Sequence, residues 1–239
     1  MKLTYLNHSG FLLNCKNFAV VIDYYNPAKN AIIYRIVEES LKSESAFYVL
    51  SSHSHPDHFD PEILKFKFLR RDIKYIFSKD IENLNFIKDR NMVFLDKFEV
   101  YEDDNLKIKA FGSTDLGISF YIKACSKEMF HAGDLNNWHW NEEFTKEETR
   151  SAEDFYYSEL KDITKEVKHL DLAMFPIDPR LGRDYMKGAI EFLEEIKVKL
   201  FAPMHFQGQY EKILAFDEYA KSKGSTLIRW KDNGESIEF

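Results

Sequence analysis

Four side chains that can bind a metal ion occur within six consecutive positions of this sequence. The segment LSSHSHPDHF contains, in the pattern H-x-H-x-D-H, the residues His53, His55, Asp57 and His58. His53 and His55 point to the same side of an extended segment, because side chains alternate with a period of two. Neutral imidazole nitrogen and carboxylate oxygen are ligands for zinc and related metals, and one ion takes three or four of them. Four such groups leaving one strand end together therefore predict two adjacent metal positions, completed by ligands from elsewhere in the chain.

Two later segments can supply those ligands, and each follows a predicted strand. Asp134 comes after the strand EMFHA, where Gly133 allows a tight turn of the backbone. His205 follows the strand KLFAPM directly. A carboxylate between two cations can bridge them, and an added imidazole can complete a ligand set. We therefore expect Asp134 and His205 to join the histidine cluster in one cavity, with Asp57 and Asp134 as the catalytic carboxylates.

The order of predicted strands and helices indicates an α+β fold with two packed sheets. Short β-type runs such as KLTYL, FLLNC and FAVVID dominate the first half, with a helix predicted at 30–42. The second half alternates helices, predicted at 145–168, 184–196 and 209–222, with the strands LAMFPI, KLFAPM and STLIRW. This order favours two sheets with helices on their outer faces. We expect one domain over residues 1–239, since no linker or internal repeat interrupts the sequence.

The composition is acidic and limits the classes of partner. The formal net charge of -7 argues against a nucleic-acid partner, whose phosphates require a basic surface. The polar segment NHSG interrupts the stretch that a signal peptide would need, and no run approaches the ~18 apolar residues of a membrane span. Two isolated cysteines fit free thiols in a reducing compartment. We therefore predict a cytoplasmic protein without a membrane span, and leave a homo-oligomer open.

With these motifs, the sequence resembles the metallo-β-lactamase-fold metallohydrolases over essentially its full length. H-x-H-x-D-H matches their main motif, Gly133–Asp134 matches their bridging aspartate motif, and His205 matches their last histidine. The form FAPMHF and the short chain resemble the branch that includes ascorbate-6-phosphate lactonase and N-acylphosphatidylethanolamine phospholipase. The resemblance implies a four-layer αββα sandwich. It also implies a first metal site with His53 and His55, a second with Asp57, His58 and His205, and Asp134 as the bridge.

One departure from the family pattern concerns the first metal site. The family normally has a further histidine ligand between the main motif and the bridging aspartate, and the sequence has none between His58 and His131. The segment AFGSTDLGISF lies where it would fall. Three explanations remain open: Asp115 substitutes as an oxygen ligand, His139 reaches in from the segment NNWHW, or the first site is weak. Asp115 is our first choice.

Two other histidines have less specific settings. His131 lies inside a predicted strand, which favours a packed and hydrogen-bonded core residue. His8 lies in the first hairpin turn, which in this branch can face the metal site, and its role is left open.

The chemistry expected of this site is metal-dependent hydrolysis. Two divalent cations about 3.5–4 Å apart lower the pKa of a bridging water toward neutrality. The metal-activated hydroxide would attack an ester, lactone, amide or phosphodiester bond of a small, anionic substrate, with zinc as the first choice of metal and manganese or iron as alternatives. The candidate substrate-binding residues are Trp138, which offers a flat apolar surface, His139, and Arg180, which can clamp a carboxylate or phosphate. The alternative is a non-catalytic metal-binding or sensing protein with a degenerate first site.

Overall fold

Two sheets packed face to face form the centre of the protein. The computed structural model describes residues 1–43, 45–86, 88 and 90–239, and within them each sheet has seven strands. The strands in chain order are β1 (Lys2–Asn7), β2 (Gly10–Asn14), β3 (Phe18–Ile22), β4 (Ala46–Ser51), β5 (Lys74–Ser78), β6 (Met92–Leu95), β7 (Val100–Glu102), β8 (Leu106–Gly112), β9 (Ile118–Ala124), β10 (Lys127–His131), β11 (His169–Pro176), β12 (Lys197–Met204), β13 (Thr226–Leu227) and β14 (Ser236–Glu238). The α-helices are α1 (Ala31–Leu41), α2 (Lys146–Thr164), α3 (Lys187–Glu195), α4 (Tyr210–Leu214) and α5 (Asp217–Ser222), and short 3-10 helices cover Pro61–Phe68, Lys79–Asn83 and Pro179–Asp184.

Both sheets are mixed, and their parallel strands lead to the turns that hold the candidate ligands. The first sheet has the order β14-β1-β2-β3-β4-β5-β6, and the second has the order β13-β12-β11-β10-β9-β8-β7. Strands β3 to β6 run parallel in the first sheet, as do β10 to β13 in the second. Parallel strands bring their carboxyl ends to one edge of a sheet, where ligand sites of α/β proteins form. The turns after β3, β4, β10, β11 and β12 can therefore meet.

The alternation of side chains along the first sheet separates two apolar layers. In β4, Tyr48 and Leu50 belong to the core between the sheets. Phe47 and Val49 point to the opposite face, where they pack in a second cluster with Val37 of α1. The strand therefore has no polar face, as expected for a strand that is covered on both sides.

The outer face of the second sheet is covered by helices as well. The ring of Phe192 in α3 lies 4.6 Å from that of Phe175 in β11, and Tyr156 of α2 is fully buried in the same core. The layer order is thus helix, sheet, sheet, helix, which confirms the expected αββα sandwich. Among the described residues, none of the helices combines the length and apolar character needed to cross a bilayer.

The segment 209–222 differs from the single helix that the sequence predicts, because it forms the two short helices α4 and α5. The amide of Phe216 donates to the carbonyl of Ile213 at 3.1 Å, which is a tighter turn than that of an α-helix. The ring of Phe216 is buried 4.9 Å from that of Phe201 in β12. Packing of this ring against the sheet accompanies the break.

The turn before β9 lies directly against the end of β4. Gly117 has a φ of 73°, and a Cβ at this position would lie 2.6 Å from the Cβ of His53 and would also clash with the carbonyl oxygen of Ser52. The amide of Ile118 donates to that same carbonyl at 3.0 Å. Only glycine combines this backbone conformation with so close an approach.

We expect Gly117→Ala to destabilise the protein more than Gly224→Ala. Gly224 has a similar φ of 77°, but no atom lies within 4 Å of the position that an added methyl group would take, so its variant should cost about 1–2 kcal/mol from backbone strain alone. Overpacking against β4 should bring the loss at Gly117 to about 2–5 kcal/mol. Urea unfolding of both variants measures the difference, and equal losses would show that the close approach to β4 is unimportant.

Candidate metal centre

The H-x-H-x-D-H motif forms a tight turn at the carboxyl end of β4. The amides of His58 and Phe59 both donate to the carbonyl of His55, at 3.0 and 2.8 Å. The amide of Ser54 donates to Oδ2 of Asp80 at 2.8 Å, which anchors the turn from the neighbouring segment. The backbone of the motif is therefore fixed independently of any ion.

Asp134 lies at the centre of the site, between histidines of both sheets. Its Oδ1 is 3.0 Å from Nε2 of His58 and 3.4 Å from Nε2 of His205, and its Oδ2 is 3.5 Å from Nε2 of His53. Gly133 allows the chain to reach this position. It has a φ of 54°, and a Cβ at Gly133 would lie 2.8 Å from the Cβ of Ser52, so only glycine fits here. The two carboxylate oxygens thus face different histidines, as a bridging ligand requires.

His205 and His8 approach the same point from two turns. The amide of His205 donates to the carbonyl of His8 at 3.1 Å, and their rings are 4.0 Å apart. Both residues have positive φ, 62° and 54°, a conformation that is uncommon outside glycine and that turns each ring toward the other strands. Nε2 of His8 also lies 3.2 Å from Oδ2 of Asp57. The structure therefore places His8 beside the second set of predicted ligands.

The candidate ligands form two adjacent groups. In each group, one ligand atom per residue lies within 4.8 Å of the others. The first group is His53, His55, Asp115 and Asp134, and the second is His8, Asp57, His58 and His205. All six residues of the predicted ligand set thus converge, and the tentative ligand Asp115 lies with them, its Oδ2 3.5 Å from Nδ1 of His55.

The buried atoms of these groups fit bound cations. Among the described residues, Nε2 of His8, Nε2 of His58 and Oδ1 of Asp134 are buried and have no hydrogen-bond partner. Their close approaches lack hydrogen-bond geometry, and buried polar atoms are otherwise nearly always hydrogen-bonded. Imidazole nitrogen and carboxylate oxygen together are a ligand set for zinc, manganese or iron. The residues present therefore fit two divalent ions.

Burial and neighbouring carboxylates set the protonation of the imidazoles. It lowers the pKa of His8 and of His53 to about 4, so both rings are neutral at pH 7 and can act as ligands. Burial also disfavours charge on His58, but the carboxylates of Asp134 and Asp23 outweigh this effect and raise the pKa of His58 well above its ordinary value. A cation at His58 must therefore displace a proton.

A buried aspartate orients His58 from behind. Oδ2 of Asp23 lies 2.7 Å from Nδ1 of His58, and Asp23 also accepts hydrogen bonds from the amide and hydroxyl of Ser52, at 2.7 and 2.6 Å. Asp23 is fully buried, so its charge depends on these contacts and on the ring of His131, whose Nδ1 lies 3.9 Å from Oδ2. A carboxylate behind a ligating histidine fixes the ring and increases its basicity, which leaves Nε2 for the metal.

A second buried aspartate does the same for His205. Oδ2 of Asp178 lies 2.8 Å from Nδ1 of His205, and the guanidinium of Arg180 donates to both carboxylate oxygens. Burial alone would raise the pKa of Asp178, but the hydrogen bonds from His205 and Arg180 outweigh it and lower that pKa to about 2. Asp178 is therefore ionised and can hold the ring of His205 in one orientation.

The two groups open onto a cavity of about 690 Å³. Of the three predicted substrate-binding residues, Trp138 and Arg180 line it. His139 does not: it is fully buried, and its ring contacts the carbonyl of Asp184 at 3.2 Å and the amide of Asn141 at 3.2 Å. The expected contact of His139 with substrate, and its alternative role as a metal ligand, are thus not supported by its position.

The sequence interpretation missed the two orienting aspartates. Asp23 follows β3, which is the parallel neighbour of β4, and Asp178 follows β11, which is the parallel neighbour of β12. A carboxylate just after a strand that runs beside a ligand-bearing strand is the signal that could have identified them. His131 is buried as predicted, with Nε2 2.8 Å from the carbonyl of Ser9.

We expect Asp178→Asn to weaken binding of the second metal ion by about 10–100-fold, the usual effect of losing such a partner. The first ion should be unaffected, since its ligands do not contact Asp178. Competition with a chromophoric chelator gives both dissociation constants. Asp171→Asn is the matched control, because Asp171 lies on β11, the strand that Asp178 follows, but accepts a hydrogen bond from the amide of Glu128 instead. Equal affinities in wild type and Asp178→Asn would contradict this positioning role.

Asp115→Ala should reduce occupancy of the first metal position and leave the second filled. The first group would retain only His53, His55 and Asp134, and a carboxylate oxygen bonds zinc about as closely as imidazole nitrogen does, at roughly 2.0–2.2 Å. Anomalous diffraction measures each position separately. Asp104→Ala, which removes an exposed aspartate outside both groups, is the control. If folded His139→Ala loses the first ion and Asp115→Ala keeps it, then His139 is the ligand and Asp115 is not.

Comparison with known proteins agrees with this geometry. A family profile described as "Beta-lactamase superfamily domain" matches residues 2–149. No curated protein sequence gives a significant match.

Several solved structures share the fold. Igni18, a metallo hydrolase from Ignicoccus hospitalis, is 19% identical, with a TM-score of 0.67 over 100% of this chain and 98% of its own. Isothiocyanate hydrolase from Delia radicum gut bacteria is 16% identical, with a TM-score of 0.58 over 100% and 99%. CmlA, a diiron β-hydroxylase from Streptomyces venezuelae, is 12% identical, with a TM-score of 0.66 over 100% of this chain and 54% of its own. These likenesses show the fold and leave the resemblance to the lactonase and phospholipase branch a prediction. Since the family profile covers more than half of the sequence, the chain belongs to the β-lactamase superfamily, and it has the metallo-β-lactamase fold.

Proposed function

We propose that this metal-dependent hydrolase uses two divalent cations, zinc in the first place and manganese or iron as alternatives, to cleave an ester, lactone, amide or phosphodiester bond of a small anionic substrate. One observation carries the proposal. Two groups of imidazole and carboxylate side chains that could each hold an ion, joined by Asp134, lie beside a cavity large enough for a small molecule. The names of Igni18 and of the isothiocyanate hydrolase are consistent with hydrolysis, and that of CmlA keeps iron among the candidate metals.

The protein side chains have separate roles in this reaction. When bound, the ions supply an acidified water and polarise the bond to be cleaved. Asp134 holds the two ligand groups together, with one oxygen toward each. Asp57 lines the cavity and is partly exposed, so its carboxylate can orient the attacking water by a hydrogen bond. Asp23 and Asp178 keep the rings of His58 and His205 in the ligating orientation.

Arg180 supports an anionic substrate. Its Nε and Nη2 donate to Asp178, whereas Nη1 has no partner in the described part of the chain and half of the side chain is exposed. The free edge of a guanidinium that is already held by a carboxylate can donate to a carboxylate or phosphate of the substrate. The positive charge of two divalent cations also exceeds the negative charge of the three nearest carboxylates, which belong to Asp57, Asp115 and Asp134.

A non-catalytic metal-binding or sensing protein is the competing function. It would follow from a degenerate first site, but the first group contains four potential ligands in the structure. The cytoplasm is the proposed location, consistent with two free thiols, Cys15 and Cys125. The acidic sequence supports a small molecule rather than a nucleic acid as the partner.

We expect metal-loaded wild-type protein to hydrolyse at least one member of a panel of phosphodiesters, lactones and esters, and a chelator to abolish the reaction. His58→Ala should retain about one ion and lose the activity by at least about 100-fold, since metal stabilisation of the transition state amounts to several kcal/mol. Elemental analysis and initial rates are measured on the same samples.

His169→Ala is the control for that experiment, because His169 is exposed and lies at the start of β11, outside both ligand groups. It should keep both ions and the full rate. Tight binding of two ions without turnover of any panel member would favour the non-catalytic alternative. Turnover that survives both chelation and His58→Ala would contradict the proposed mechanism.

A further inference from the structure

We propose that the substrate carries a planar apolar group, an aryl group, which binds to an aromatic wall beside the metal centre. The wall consists of Trp138, Trp140, Phe144 and Phe155, all of which line the cavity. The inference rests on the proposed function and names the substrate class more closely: an aryl-substituted anion whose reactive bond lies at the metals.

The two tryptophans form a rigid stacked pair that begins at the metal ligands. The ring of Trp138 lies 5.5 Å from that of His205 and 6.2 Å from that of Trp140, with an angle of 14° between the two indoles. Nε1 of Trp138 donates to the carbonyl of Asp134 at 2.8 Å. The indole position is therefore fixed to the same residue that bridges the ligand groups, and the aromatic wall is continuous with the metal centre.

The two phenylalanines line the same cavity as the tryptophans and remain open to water. Phe144 is 42% exposed and Phe155 is 47% exposed, although both line a cavity. The amide of Phe144 donates to the carbonyl of Trp140 at 2.8 Å, and a capping box between Thr145 and Glu148 fixes the start of α2 just beyond it. Binding of an apolar group to these preformed, exposed aromatic surfaces is favourable, because it displaces the water that covers them.

The distribution of charge orients the substrate in the cavity. Apart from histidine, Arg180 is the one cationic side chain among the described residues that line it, and it lies beside His205 with Nη2 3.4 Å from Nδ1 of the ring. The four wall residues carry no charge, and Glu148, which also lines the cavity, comes four residues after Phe144 in the chain. An anionic group is thus favoured at the metals and Arg180, and an uncharged group is favoured at the aromatic wall.

Planarity follows from the geometry of the tryptophan pair. Nearly parallel indoles present flat faces, and aromatic rings gain from offset stacking or edge-to-face contact beyond the area that they bury. A flexible alkyl chain would gain only from burial and would lose rotational freedom. An aryl group is therefore the occupant that this wall favours.

The experiment compares phenylphosphonate with methylphosphonate, neither of which is hydrolysed, by calorimetric titration of the zinc-loaded protein. Phenylphosphonate should bind at least about 10-fold more tightly to wild type, in line with burial of a phenyl ring. Trp140→Ala and Phe155→Ala should each reduce this preference to about 3-fold or less and leave methylphosphonate binding unchanged. Trp138 is left intact, because it holds the backbone of a metal ligand.

Tyr157→Ala is the matched control. Tyr157 lies on the same helix as Phe155 and is similarly exposed, at 45%, but its hydroxyl donates to Glu191 outside the cavity. This variant should keep the full aryl preference. A preference that persists in both wall variants, or disappears equally in Tyr157→Ala, overturns the proposal.

A neutral pair, benzamide and acetamide, separates this inference from the proposed function. If neither phosphonate binds but benzamide is preferred to acetamide and depends on Trp140 and Phe155, the anionic substrate is wrong and the aromatic wall is supported. If the phosphonates bind with metal dependence but without an aryl preference, the metal site is supported and the wall is wrong. Absence of an aryl preference in both pairs overturns the inference.

Discussion

The buried carboxylate of Asp134 is the interaction on which the site depends. It lies within 3.5 Å of histidines from both sheets, in surroundings that are almost closed to water. A carboxylate in such a place is destabilising unless cations or hydrogen bonds compensate its charge. The histidines around it supply part of that compensation. Because the two oxygens of Asp134 face different histidines, the same carboxylate lies between two ligand groups.

Each sheet provides one candidate ligand histidine that a buried aspartate orients. His58 and His205 are backed by a buried aspartate at the end of the neighbouring parallel strand, Asp23 in the first sheet and Asp178 in the second. Each ring is thereby held at Nδ1 and directed toward Asp134 through Nε2. The orientation of these two histidine rings thus depends on the order and direction of the strands. If β3 or β11 ran in the opposite direction, its aspartate would lie at the other edge of the sheet, away from the histidine.

Sequence reasoning identified residues that the structure brings together where the signal was local. The H-x-H-x-D-H motif, the pair Gly133–Asp134 and the position of His205 after a strand each lie within a few residues, and the order of predicted strands and helices indicated the two sheets. It failed where packing over long distances decides. His139 comes directly after Trp138 in the sequence but is buried against the carbonyl of Asp184, and the break near Phe216 is accompanied by packing of its ring on that of Phe201 in another element. The position of His8 could not be derived either, because a single histidine in a hairpin turn has no periodic context.

The connection between β10 and β11 has a consequence for how this protein can change over evolutionary time. The four wall residues lie within the continuous segment 138–155, whereas the metal ligands come from separate turns of the two sheets. Apart from the hydrogen bond of Trp138 to Asp134 and its ring contact with His205, replacement of this segment would leave the ligands and their supporting aspartates in place. Substrate selectivity and metal-dependent reactivity therefore depend on different parts of the chain. Exchange of the segment 138–155 can change the substrate while the metal chemistry is preserved.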